Sequence, residues 1–219
     1  MLVALGASLG GCSSTAQQPP LASPSPAVSA APLPDMWTVH ADPSEHFSVA
    51  TPEAWDFLLR DSPSFVADLE AVGKHSPELQ AYFKKAMETN AELRLVAADG
   101  RSLAGGFAAN VNVMRSDLGA VSRAPTLGEL ATAKVTRLGN EAAVMLPVKR
   151  ADVRVAGRPA VRIDYQLKAG DHTVSVRSYL LVMEHGGQRA MLELTMGAAA
   201  DQAAATFDGI ASSLTLPGA

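Results

Sequence analysis

Between Val148 and Met196 the chain passes four times through a run of alternating apolar and polar residues, with only a few residues of turn chemistry between the runs. The runs cover about 148–155, 160–168, 172–184 and 189–196, and the breaks are Gly157-Arg158-Pro159, Ala169-Gly170-Asp171 and Gly186-Gly187. Connections this short join only antiparallel neighbours, because a parallel return needs a crossover of a dozen or more residues. The segment therefore predicts an antiparallel meander. Its period of two sets one apolar face, expected from Val161, Ile163, Tyr165 and Leu167, from Val174, Val176, Leu180 and Val182, and from Leu192, Leu194 and Met196.

Upstream, Trp37-Thr38-Val39 and Phe47-Ser48-Val49-Ala50 read as two short extended pieces around the turn-like Asp42-Pro43-Ser44, and Thr51-Pro52-Glu53-Ala54-Trp55 ends the second. Ser62-Pro63 and Ser76-Pro77 each place a capping residue before a proline suited to the first helical position. The first helix carries Phe65, Leu69 and Val72 and is expected to close at Gly73. The second carries Leu79, Tyr82, Phe83, Ala86 and Met87 at helical spacing, with Glu78, Lys84, Lys85 and Glu88 on the wet face. Packing against the sheet is the expected fate of this pair, with an apolar groove for a lipid or partner peptide as the alternative. Strands follow from Glu92 to Ala97 and from Phe107 to Arg115, around a turn at Asp99-Gly100. Thr126-Leu127-Gly128-Glu129 is a capping-box pattern for a helix through about Leu138, stopped at Gly139, and a last helix from about Ala199 to Ser213 turns Phe207 and Ile210 inward. An antiparallel sheet with flanking helices is an α+β layer architecture.

The first twelve residues, Met-Leu-Val-Ala-Leu-Gly-Ala-Ser-Leu-Gly-Gly-Cys, form an uncharged apolar run ending in small residues, as the core and cleavage region of a secretory signal do. Leu9-Gly10-Gly11-Cys12 resembles the bacterial lipobox, which implies a signal peptide over 1–11 and Cys12 as the lipidated N-terminus. No Lys or Arg precedes the run, so a charged n-region is expected upstream of Met1. From Ser13 to Asp35 the chain is almost wholly Ala, Ser, Pro and Gln, with six prolines and no charge before Asp35. Such a segment buries too little apolar surface to offset its chain entropy, and residues 12–35 are expected to be a disordered tether ahead of one domain over 36–219. At roughly 3 Å per extended residue it reaches some tens of ångströms from a membrane.

In a chain of 219 residues, 18 Lys and Arg against 22 Asp and Glu give no cationic excess to neutralise phosphates, so nucleic acid is not an expected partner. The single cysteine removes disulfide frameworks and thiolate metal cages. The five histidines show no metal-ligand spacing: His40 and His46 flank Asp42 and Glu45 in what reads as a solvated loop, and Glu184-His185 runs into the Gly186-Gly187 turn. An S-x-x-K string and a glycine-rich phosphate loop are missing, and the folded part holds no nucleophile elbow, so no catalytic residue, metal or cofactor is expected. Alternation instead brings Arg162, Asp164 and Gln166 to the side opposite the core, beside Ser175, Arg177, Tyr179 and Glu193. Arg162, Asp164, Arg177, Tyr179 and Glu193 are candidates for binding a small polar or anionic ligand, the arginines offering bidentate donors, and ordinary cross-strand pairing is the competing account. Asn110 and Asn112 stand under the same two accounts.

Several strings together carry a family resemblance: Phe47-x-Val49-x-x-Pro52-x-x-Trp55, Asn110-Val111-Asn112-Val113, Gly157-x-x-Ala160-x-Arg162-x-x-Tyr165, and Leu194-Thr195 followed by Phe207-x-x-Ile210-x-x-Ser213. Over about residues 45–215 the chain resembles bacterial surface lipoproteins of the LpqN type, with the PsbP-like fold. The resemblance implies an α/β/α sandwich around a twisted antiparallel sheet, export, lipidation and no established catalytic residues. The resulting expectation is a lipoprotein on the outer face of the cytoplasmic membrane, acting as a binding or accessory module toward an envelope protein or small ligand. The alternative is a lipid or small-ligand carrier, or an enzyme, with a pocket that pattern does not reveal; several hundred cubic ångströms with converging polar groups would favour it.

Overall fold

The computed structural model describes residues 35–105, 107–120, 124–185, 188–199 and 203–216. The signal, Cys12, the tether to residue 34 and the Gly186-Gly187 turn lie outside the described residues. Seven strands form one antiparallel sheet in the order β3-β4-β5-β9-β8-β7-β6, and β1 with β2 forms a separate hairpin. In chain order these are β1 (Trp37–Asp42), β2 (Phe47–Pro52), β3 (Asp56–Leu59), helices α1 (Phe65–His75) and α2 (Pro77–Thr89), β4 (Leu93–Ala98), β5 (Asn110–Ala120), α3 (Leu127–Gly139), β6 (Val144–Val155), β7 (Arg158–Ala169), β8 (His172–His185), β9 (Gln188–Ala199) and α4 (Ala203–Ser213). The predicted meander is β6 to β9.

Both faces of the sheet are covered, which makes the fold an α/β/α sandwich and corrects the expectation of one apolar face. Cross-strand partners such as Tyr179 and Leu194, or Leu194 and Val113, share the first face. There Leu192, Leu194 and Met196 join Tyr179, Leu181, Val111 and Val113 in the largest core, closed by Phe207 and Ile210 of α4 and by Phe47 and Val49 of the hairpin. On the second face Val161, Ile163 and Leu180 pack under Ala131 and Leu138 of α3. Leu58, Val96 and Ala98 pack under Val72, Leu79, Phe83 and Met87 of α1 and α2. The period-two pattern gave each strand its alternation correctly, but β9 presents its leucines to the face opposite that of Ile163. Strand phase relative to a neighbour is set by register, which single-strand pattern does not contain.

Local signals explain most element ends. Thr126 accepts from the Glu129 amide at 3.2 Å and the Glu129 carboxylate accepts from the Thr126 amide at 2.7 Å, the reciprocal pair expected at the start of α3. Ser76 caps α2 through the Leu79 amide. At α1 the cap is Ser64 rather than Ser62, and the helix runs past Gly73 to His75. Gly73 serves contact instead: the Gln80 side-chain amide lies 2.5 Å from where a Cβ would stand, and it donates to the Leu69 carbonyl. Arg60 donates to the Met87, Asn90 and Leu93 carbonyls, tying the end of α2 to β4. Two further differences are β3, which follows the segment read as a strand end, and a 3-10 turn over Gly100–Gly105 where a simple turn was expected.

The hairpin is fixed on the first face by the end of the chain. Ser48 and Thr215 exchange backbone hydrogen bonds of 3.1 and 2.9 Å, the Ser213 hydroxyl accepts from the Ala50 amide, and Trp37 lies against Gly209 of α4. His40 belongs to this layer and not to a solvated loop. It is buried, bonded to Thr51 at 2.8 Å and packed 4.0 Å from the Phe57 ring. Burial lowers its pKa to about 4, so it is neutral near pH 7.

Candidate functional site

The covering of the second face is split. Helices α1 and α2 sit over β3 and β4, α3 sits over β7 and β8, and the centre of the sheet between them is a groove of about 400 Å³. Its floor is Asn110 and Asn112 of β5, Thr195 and Gly197 of β9, and Val176 of β8, which register places side by side: Asn110 pairs with Gly197, Asn112 with Thr195, Val176 with Gly197. Tyr82 of α2 and Phe107 stand at one wall, Tyr165 and Leu167 of β7 at the other. Gly197 keeps the floor open, since a Cβ there would lie 3.3 Å from the Phe107 ring and 3.6 Å from the Asn110 carboxamide. None of the described lining residues is charged.

The polar groups of the floor are ordered by one another. Asn112 donates to the Asn110 carbonyl oxygen at 3.2 Å, Asn110 donates to the Ala108 carbonyl at 2.9 Å, and the Tyr82 hydroxyl faces the Asn112 carboxamide. Thr195 donates to Glu193 Oε1 at 2.7 Å, and its hydroxyl is 2.9 Å from that of Ser178. With the Thr195 proton committed to the carboxylate, Ser178 must donate to Thr195. Tyr165 lies beside Ser178, and burial together with the nearby Glu193 charge pushes its phenol up to about 12, so it stays protonated. The chain of hydroxyls ends on a buried ion pair between Glu193 and Lys134 of α3. The groove thus offers a neutral, aromatic-walled slot with fixed carboxamide and hydroxyl groups at its base, a form suited to holding an uncharged molecule.

The residues proposed from sequence divide between the two faces. Arg162, Asp164, Arg177 and Tyr179 share the first face, where Arg162 pairs with Tyr179 and Asp164 with Arg177 across β7 and β8. Asp164 accepts from Arg177 Nε at 2.6 Å and pairs with Arg162 Nε at 2.8 Å, and Arg177 also reaches Asp208 of α4 and stacks 5.9 Å over Phe207. Tyr179 is fully buried with its hydroxyl against Arg177, and burial raises its pKa. Glu193 corrects the expected single polar face: it pairs with Leu180 and Met114 on the second face, beside the groove. A cleft of about 380 Å³ opens next to Asp164 and Arg177, bounded by Lys149, Gln166, Ser175 and the Met145–Pro147 segment. Asn110 and Asn112 come together on the groove floor, joined in the groove by Tyr82, Tyr165 and Thr195, which no motif in their own segments marks as site residues. The visible signal was the polar stripe Glu193-x-Thr195-x-Gly197 inside an apolar strand, which needed the register of β5 to acquire a partner.

No protein-family model matches the chain, and no curated protein is significantly similar to it. Among solved structures, it is similar to LpqN of Mycobacterium tuberculosis, described as involved in cell envelope biogenesis, with a TM-score of 0.53 and 12% identity over 83% of this chain and 92% of that one. The cyanobacterial PsbP, CyanoP, of Synechocystis sp. PCC 6803 aligns over the same shares at 16% identity with a TM-score of 0.49. The fold is therefore the one read from residues 45–215, an LpqN-like sandwich of the α+β class.

Proposed function

We propose that this protein is a non-catalytic binding module of the bacterial cell envelope, held at the outer face of the cytoplasmic membrane by a lipid on Cys12, and that it works by taking a small uncharged ligand into the groove between α2 and α3. The groove carries this reading: about 400 Å³ of space, aromatic walls and converging amide and hydroxyl groups, without a charged lining residue among those described. The fold shared with an envelope protein and the lipobox-like Leu9-Gly10-Gly11-Cys12 support the location.

The decisive test uses N-phenyl-1-naphthylamine, an uncharged fluorescent probe small enough for the slot. Saturable binding at one site is expected, weakened at least ten-fold by Gly197→Leu, whose side chain fills the floor, with the thermal midpoint of the variant reported alongside. Binding that ignores Gly197→Leu in a folded protein would remove the groove from the account. The location has its own readout: Cys12→Ala should release the protein to the soluble fraction after a high-salt wash, and membrane association that still needs detergent at high salt would defeat the anchor. A second reading keeps Asp164 and Arg177 as ligand contacts through the 380 Å³ cleft beside Lys149, which suits a small anion, while Arg162 and the buried Tyr179 do not line it. Phosphate binding lost in Arg177→Gln would support that cleft.

A further inference from the structure

The seven-stranded sheet has two edges. One is β3, four residues long and leading into α1; the other is β6, twelve residues long, which among the described residues pairs only with β7. β6 carries Lys149, Arg150 and Arg154 against Asp152 alone, in a chain whose formal net charge is −4. All four are exposed. The ladder also breaks here. Met145 stands opposite Gln166 and Lys149 opposite Asp164, so β6 holds three residues between positions that β7 separates by one. Of the extra length, Val148 turns inward to the core under α3, while Leu146 is left 68% exposed and Met145 38%. An apolar prong and three exposed cations thus lie along one edge of the sheet, Lys149 on its first face opposite Asp164, Arg150 and Arg154 on its second, where Arg150 also donates to Thr132 of α3.

We propose that the β6 edge docks on an anionic lipid surface, with Met145 and Leu146 entering the interfacial layer and Lys149, Arg150 and Arg154 against the headgroup charges. The chemistry is complementary: apolar side chains gain from the acyl boundary, and cations on the flanking positions gain from a negative surface. A strand added by another protein needs an unbroken row of backbone groups, so it could pair only along Lys149 to Val155, past the break at Pro147 and its bulge, and would leave Met145 and Leu146 uncovered. A bilayer makes no such demand, because it meets side chains rather than the backbone ladder. The proposal concerns a different surface from the groove and does not depend on ligand binding there.

The test is co-sedimentation of the protein from residue 12 onward carrying Cys12→Ala, which lacks both the apolar leader and any acyl anchor, with vesicles of 70% phosphatidylcholine and 30% phosphatidylglycerol and with vesicles of phosphatidylcholine alone. Binding to the anionic vesicles is expected to weaken as salt rises and to fall roughly five-fold for each cation removed in Lys149→Gln and Arg154→Gln. Leu146→Ser should weaken it several-fold at constant charge. Lys84→Gln with Lys85→Gln on the exposed face of α2 should change little. Equal binding to both vesicles, no binding to either, or equal losses from the α2 and β6 variants would each overturn the proposal. So would a concentration-dependent dimer abolished by Leu146→Ser without lipid binding, which would assign the prong to a second copy. All these side chains are exposed, and unchanged circular dichroism is expected throughout.

Discussion

At the scale of single residues, the buried polar groups give the sharpest expectations. His40 is held neutral by burial with a folded pKa of about 4, against an ordinary value of 6.5. Between those values the unfolded chain binds more protons than the folded one, so stability is full above about pH 6.5 and declines as pH falls toward 4. The pKa difference corresponds to roughly 3 kcal/mol at most. Urea unfolding at pH 7 and pH 4.5 should show this loss, and His40→Gln, which keeps a hydrogen-bonding partner for Thr51, should reduce it; an unchanged pH slope would mean that other groups set acid sensitivity. Lys134 and Glu193 make the opposite kind of case. Lys134→Met leaves the Glu193 carboxylate buried with only Thr195 donating to it among the bonds described, and is expected to cost about 3–5 kcal/mol. Lys134→Met with Glu193→Leu should recover most of that loss. A double variant no better than the single one would show that the pair specifies packing and not charge balance.

At the scale of elements, what could be read in advance was what nearest neighbours in sequence decide. The capping box at Thr126 and Glu129, the Ser76-Pro77 start and the Gly170 turn, where φ is +61°, all follow from local chemistry. Thr126→Ala should destabilise the protein by about 1 kcal/mol, seen as a lower urea midpoint with an unchanged slope. What stayed hidden depends on elements distant in sequence. Gly73 looks like a helix stop but is a contact with Gln80 of the next helix, and Gly209 inside α4 looks like a weakness but receives the Trp37 ring, 2.8 Å from its absent Cβ. Gly209→Ala therefore has opposing effects: helix propensity favours it by up to about 1 kcal/mol, while the clash displaces Trp37. A shifted Trp fluorescence spectrum with little gain in midpoint is expected. A clear stabilisation with native fluorescence would show that the hairpin rides loosely on α4. The candidate groove was invisible for the same reason, because Asn110, Thr195 and Tyr82 meet only through β5, β9 and α2.

For the whole molecule, the sheet is the one element that all three cores share, so it must couple helices that do not touch. The first face holds the hairpin and α4; the second holds α1, α2 and α3 in two separate clusters. Adjacent residues of one strand feed different cores, Leu95 and Ala97 going to the first while Val96 and Ala98 go to the second. Loosening one face therefore removes support from the strands that hold the other, which favours a single cooperative transition. The two tryptophans make this measurable, since Trp55 and Trp37 both report on the first face. Phe83 of α2 lies fully buried on the second, against the sheet. Phe83→Ala should cost about 3–5 kcal/mol. If the sheet couples its faces, Trp fluorescence and far-ultraviolet circular dichroism will lose midpoint together and by the same amount. A fluorescence midpoint left at its native value while the dichroism falls would instead mean that α1 and α2 unfold as a unit of their own, and that the groove they border can open without disturbing the hairpin side.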